Sequence, residues 1–261
     1  MSQFSLTQTL IAHDSEGYKA ATQSTFLSRA AKGRVPKDIL GKWLANDRLY
    51  IHGYIRAVGG LLSFLHLPET VPAAATERET ANTKLLKWMI DALVNIHREE
   101  AFFVDTALKY GISVNLPTNE DGHVPSSAKL EGLRRFEALF DGLAPSENKI
   151  LPWLEFAVVF WGTEKCYLDA WSGARAQLQP ASDAGSSDAD GGALRNEFIP
   201  NWSAKEFAAF VDQLGAIIDA AVTEQIQIHG QKLERDLLDR SLVKWVELLA
   251  AERKFWPVME S

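Results

Sequence analysis

The sequence predicts an all-α helical bundle built as a single domain, and three observations predict it. Long segments repeat apolar residues at i, i+3, i+4 and i+7, the period of an amphipathic helix. Nearly all of the 10 prolines fall between these segments or at their ends, where a helix must stop or start. The two-residue alternation of a half-buried strand is almost absent.

In chain order, the periodic segments predict helices over residues 4–13, 17–31, 37–66 after Pro36, 79–110, 126–142, 150–178 after Pro145, 204–227 and 231–256. The last three are rich in Trp and Phe, so several helices are expected to be buried on more than one side. Between Gln179 and Asn196 the composition turns to Ser, Asp, Gly and Ala without periodicity. A segment that buries so little apolar area is expected to be a flexible surface loop over 179–196. No internal repeat is visible, and 261 residues with 46% hydrophobic content suffice for one large core.

Charge and composition narrow the function classes. Lys and Arg number 27 against 34 Asp and Glu, a net charge of -7, and no basic run offers a track for a phosphate backbone, so nucleic acid is not an expected partner. No stretch approaches the roughly 20 apolar residues of a membrane span, and residues 1–18 lack a secretory pattern, so a soluble, cytoplasmic protein with no membrane partner is expected. Cys166 is the single cysteine. It excludes an intramolecular disulfide and leaves a packed thiol or a reactive one.

The informative residues are acids inside apolar stripes. Trp43, Asp47, Tyr50, Tyr54, Val58 and Leu61 step by 4, 3, 4, 4 and 3, which places Asp47 on the buried face of its helix. Trp153, Ala157, Phe160, Glu164, Tyr167 and Trp171 do the same for Glu164, and Leu238, Leu242, Trp245, Leu249, Glu252 and Trp256 for Glu252. An unpartnered ionised carboxylate is costly to bury, so each acid is hydrogen-bonded across the bundle, protonated, or facing a polar cavity. Any one of them can be a structural acid, but three together favour a shared pocket. Tyr50, Tyr54, Tyr167 and Phe255 would then supply flat walls suited to a planar heteroaromatic ligand whose N–H groups meet carboxylates.

Glu99 and Glu100 also flank the stripe of their helix, one of them facing the core. A di-iron bundle site needs Glu-x-x-His pairs from two helices. The pair Glu120–His123 lies in a Pro/Asn/Gly-rich loop, and His97-x-x-Glu100 reverses the order, so no metal is expected.

These same positions resemble the TenA family of thiamin-pyrimidine salvage proteins. Ser24-Thr25-Phe26-Leu27, Gly33-Arg34-Val35-Pro36 and Trp43-Leu44-Ala45-Asn46-Asp47-Arg48-Leu49-Tyr50 are similar to the family's opening. Phe198-Ile199-Pro200-Asn201-Trp202 is similar to its Trp-Ile-x-x-Tyr, and Glu252-Arg253-Lys254-Phe255-Trp256 to its closing Glu-x-x-Phe-Trp. The resemblance implies a haem-oxygenase-like bundle, a homo-oligomer, and a pocket in which Asp47 bonds an aminopyrimidine, Tyr50 lines the wall, Glu252 acts as general acid or base and Phe255 stacks. It implies no cofactor. Trp202 stands where the family has a tyrosine.

The family's thiaminases carry their nucleophile in Pro-Cys-x-x-x-Tyr, whereas Cys166 falls several residues too late. Trp161-x-x-Glu164-x-x-Tyr167-x-x-x-Trp171 is closer to the branch that lacks the cysteine and relies on glutamate. The expected activity is hydrolysis of an amino- or formylamino-methyl pyrimidine at a C–N bond by Glu164, Glu252 and Asp47. The alternatives are a pyrimidine-binding protein without turnover or a PqqC-like oxidase on the same fold. A haem oxygenase would need an axial histidine early in the chain, and His13 lies outside the matching region.

Overall fold

The computed structural model describes residues 4–71, 79–145, 149–178 and 188–259. Among them every regular element is helical. Helices α1 (Leu6–His13), α2 (Ser15–Thr22) and α3 (Thr25–Ala31) lead into the long α4 (Lys37–Ser63) and α5 (Ala81–Tyr110). After a 3-10 turn at Ser126–Ala128 come α6 (Glu131–Asp141) and α7 (Leu154–Ala176), then the short α8 (Ile199–Trp202) and finally α9 (Lys205–His229) and α10 (Gln231–Phe255).

Local chemistry sets the boundaries. Ser5, Asp14, Ser24 and Thr80 each accept a backbone N–H of the following first turn with their side chains, satisfying a donor that the helix leaves orphaned. The Ser24 cap corrects the sequence reading: residues 17–31 are not one helix, because Gln23 leaves helical geometry and Ser24 restarts the chain as α3. Gly111 ends α5 in the left-handed region at φ 64°, donating to Ala107 and Leu108, a conformation that favours glycine.

The segment 126–142 is likewise divided. Lys129 and Leu130 are extended between the 3-10 turn and α6, and Leu130 N–H donates to Asn46 Oδ1 of α4 at 2.8 Å. Gly132 lies against the backbone of α10 at Phe255, where any Cβ would collide, so glycine fixes the close approach of α6 and α10.

Helix α7 is the centre of the bundle. It is buried on all sides over much of its length and packs on α2, α3, α8, α9 and α10, which explains why its apolar residues are not confined to one stripe. The expected loop at 179–196 divides. Residues 179–187 lie outside the described residues, whereas 188–196 is anchored. Buried Asp190 accepts from the N–H groups of Gly192 and Leu194 at 2.9 and 2.7 Å, Ala189 N–H donates to Gly33 O, and Arg195 pairs with Asp188 at 3.0 Å. Short polar side chains that bond their own backbone order this piece, a device that apolar periodicity does not register. No described helix is long and apolar enough to cross a membrane.

Candidate active site

A cavity of about 580 Å3 lies among α4, α5, α6, α7, α9 and α10, with α8 at one end. Asp47, Glu164 and Glu252 all line it, each carried there by the stripe on which it lies. So do Tyr50, Tyr167, Trp202 and Phe255. Tyr54 does not. Its ring is fully buried behind the wall, packed on Phe160 at 4.9 Å and Tyr50 at 6.1 Å, one turn too far along α4 to reach the hollow.

The three acids have few partners. Asp47, only 4% exposed, accepts one long hydrogen bond of 3.4 Å from the Tyr167 hydroxyl. Glu252, also 4% exposed, meets no hydrogen-bond donor among the described residues. Burial pushes Asp47 up to about 8, opposed by the Tyr167 hydroxyl and reinforced by the charges of Glu99 and Glu164. Burial likewise raises Glu164 to about 7, opposed by the Tyr54 hydroxyl and reinforced by Glu99. Burial also raises Glu252 well above the carboxylate range, with Asp47 and Glu164 adding to it. Acids in such surroundings are poised to hold or exchange protons near neutrality.

The walls are aromatic. Tyr50 packs on Phe136 at 5.0 Å and Phe255 at 5.8 Å, while Trp202 packs on Trp171 at 4.6 Å and Tyr167 at 5.4 Å.

Two further acids, Glu99 and Glu206, also line it. Glu99 accepts from Asn201 Nδ2 at 2.9 Å and Trp202 Nε1 at 3.2 Å, whereas Glu100 turns away to Arg48 and His52 on α4. Sequence reasoning left the two glutamates undivided. The signal was present: Leu85, Met89, Ala92, Ile96, Glu99, Phe103 and Thr106 step by 4 and 3, which selects Glu99. Asn201 lay outside any periodic segment and carried no such signal.

Cys166 is fully buried on α7 and does not line the cavity. Burial pushes its thiol well up, with the charges of Glu252 and Asp169 adding to the effect, so the thiolate form needed by a nucleophile is disfavoured. Among the described residues no three His, Cys, Asp or Glu side chains are grouped as a metal site.

Comparison with known proteins gives the architecture its context. A TenA homologue from Pyrococcus furiosus superposes with a TM-score of 0.66 at 21% identity, covering 96% of this chain and 98% of that one. The fold is the TenA fold. A TenA family transcription regulator from Silicibacter sp. TM1040 matches with a TM-score of 0.62 at 11% identity, over 96% of both chains. A protein of Sulfolobus solfataricus provisionally named a TenA-like thiaminase matches with a TM-score of 0.55 at 15% identity, over 96% of this chain and 93% of that one. In sequence, a Fusarium pseudograminearum protein named "Probable transcription factor" is 24% identical over 87% of this chain. The chain spans about half, 47%, of that relative's length. No protein-family model matches the chain.

Proposed function

We propose that the chain is a TenA-family hydrolase that cleaves a C–N bond on an amino- or formylamino-methyl pyrimidine, using carboxylates in place of a thiol. The observation that carries this reading is that Asp47, Glu164 and Glu252 reach one aromatic-walled cavity from three helices. An aminopyrimidine edge sets a ring-nitrogen acceptor beside an amino donor. Protonated Asp47 donates to the ring nitrogen and accepts from the amino group; with the proton on the ring instead, its carboxylate makes the same pair. Tyr50 and Phe255 flank the ring.

For the aminomethyl substrate, the oxygen of water bonds to the methylene carbon as the C–N bond breaks and the nitrogen leaves as ammonia. Glu164, near 7, is suited to take the proton from water. Glu252, whose carboxyl burial raises well above its ordinary value, is suited to supply one to the departing nitrogen, so the two acids exchange protonation states and are reset by solvent. No residue in this scheme needs a metal or an organic cofactor.

A second reading, a pyrimidine-binding protein without turnover, is favoured by the thiol's place outside the cavity. Incubation with aminomethyl pyrimidine, formylaminomethyl pyrimidine and intact thiamin, followed by measurement of hydroxymethylpyrimidine release, separates the two. Release is expected for at least one compound; saturable binding without release selects the second reading. We also propose a cytoplasmic homo-oligomer, for which exposed Ile90 and Val94 on α5 and Val243 and Val246 on α10 offer apolar faces.

A further inference from the structure

We infer that Thr163 holds the attacking water, its hydroxyl oxygen taking one hydrogen of that water while Glu164 takes the other. The inference rests on the reading of the cavity as a hydrolase site, and names the residue that decides which nucleophile reacts there.

Place is the first argument. Thr163 and Glu164 are consecutive on α7, and both line the cavity. Among the described lining residues Thr163 carries the only aliphatic hydroxyl. Consecutive helix residues point about 100° apart, so two of them meet one hollow only where it wraps around the helix, and their oxygens bracket a corner of it. Thr163 is 2% exposed, so that corner is shielded from bulk solvent.

The proton of the hydroxyl is the second. Thr163 Oγ1 donates to the Phe160 carbonyl at 3.0 Å, a bond back along its own helix that commits its one hydrogen. No carboxylate receives that proton, so the hydroxyl is not activated as a nucleophile. What it offers the cavity is an acceptor. The Tyr50 hydroxyl approaches the same side chain from α4; its proton can occupy one lone pair, which leaves the other for the hollow.

The kind of molecule that fits is the third. A neutral acceptor beside an acidic one suits water, which has two hydrogens to give. With both engaged, the lone pairs of the water turn away from α7 toward the ligand. One hydrogen then passes to Glu164 as the oxygen bonds to the methylene carbon and the C–N bond breaks. An alcohol has a single hydroxyl hydrogen and leaves one of the two buried acceptors unpaired, at a cost. The pair therefore selects water over an alcohol of similar size.

The test is product analysis of aminomethyl pyrimidine turnover in buffer that contains methanol. Attack by methanol gives the methoxymethyl pyrimidine: its oxygen bonds to the methylene carbon, its hydroxyl proton passes to Glu164, and the nitrogen again leaves as ammonia. The wild type should form this product at less than roughly a tenth of the share set by the methanol-to-water ratio. Thr163→Val keeps the shape of the side chain, and the Phe160 carbonyl keeps its helical N–H donor. It should lower kcat about tenfold with KM held within about threefold, and raise the methoxymethyl share about fivefold or more. Thr163→Ser, which retains the oxygen, should restore both. A wild-type methanol share in proportion to its concentration, or a share that Thr163→Val leaves unchanged, overturns the inference while the hydrolase reading stands. A loss of ~10⁴-fold in Thr163→Val, with a covalent adduct on Thr163 of the wild type in mass spectra, overturns it by making the hydroxyl the nucleophile. Release of neither product by the wild type overturns both. The wild-type measurement needs no variant and so does not depend on how Thr163→Val folds.

Discussion

The same three helices build a filled layer and a hollow one, a single turn apart. Trp43 on α4, Trp171 on α7 and Trp256 just past the end of α10 meet in a dense cluster, with ring centroids 5.6 Å apart between Trp43 and Trp171 and 5.7 Å between Trp43 and Trp256. Moving four residues along each helix gives Asp47, Tyr167 and Glu252, which line the cavity; Glu164 follows one turn beyond Tyr167. The contrast shows how this bundle tolerates buried acids. The tryptophan floor supplies the packing and fixes the backbones, leaving the next layer free to hold groups that destabilise the fold unless a ligand meets them.

If the floor holds the fold, its disruption has the largest effect. Trp171→Ala should destabilise the chain by about 3–5 kcal/mol, the usual cost of truncating a large buried aromatic, as read by denaturant unfolding. A loss under about 1 kcal/mol would mean that the layer is not what supports the cavity. In the hollow layer the expected loss is of function rather than stability. Glu252→Gln should leave the melting temperature near that of the parent or above it, and lower turnover by ~10²-fold or more if Glu252 transfers a proton. An unchanged rate would make it a structural acid.

The two layers should also differ in their response to pH. Asp47 is raised to about 8 from an ordinary 3.8 and Glu164 to about 7 from 4.5. Groups raised on folding contribute stability that is fully present below the unfolded value and is lost as pH rises through the folded one. The melting temperature should therefore fall as pH rises from about 5 to about 8 and level off above that, and fall less in Asp47→Asn, which does not titrate. Glu131 and Glu197, lowered by Arg135 and Lys109, act with the opposite sign at the acid end and do not enter this window. Equal slopes in the two proteins would show that Asp47 is not a strained acid. The smallest effect is expected at Cys166, which is packed away from the cavity: Cys166→Ser should keep turnover within a few-fold, whereas a ~100-fold loss with the fold intact would restore a thiol mechanism.

How legible this was in the sequence follows from what each residue depends on. Asp47, Glu164 and Glu252 could be read because each replaces an apolar residue in a long 3.6-residue period, and a helix fixes direction over such a run. The same period placed Tyr54 in the pocket wall, which it is not: period gives a face, but not how far along the helix the hollow extends. Asn201 was legible only as part of the family-like motif Phe198–Trp202, not as a partner of Glu99, since the π-helical turn Leu194–Phe198 that precedes its helix and the Asp190 cap depend on local polar bonds rather than apolar spacing. The break at Ser24 was overlooked even though a serine before a helical run is a recognisable start signal. The convergence of helices distant in sequence is a tertiary fact, and only the number of inward acids hinted at it.

The central claim is that this acid layer is a ligand site in which Asp47 reads the pyrimidine edge. Its most direct test is calorimetric titration of the aminomethyl pyrimidine at pH 7 into the wild type, Asp47→Asn and Asp47→Ala. The account predicts saturable binding by the wild type and affinity within a few-fold in Asp47→Asn, whose amide keeps one donor and one acceptor. It predicts weakening of roughly tenfold to a hundredfold in Asp47→Ala, which leaves the ring edge unpaired. Undiminished binding by Asp47→Ala, or no binding by the wild type, would contradict it.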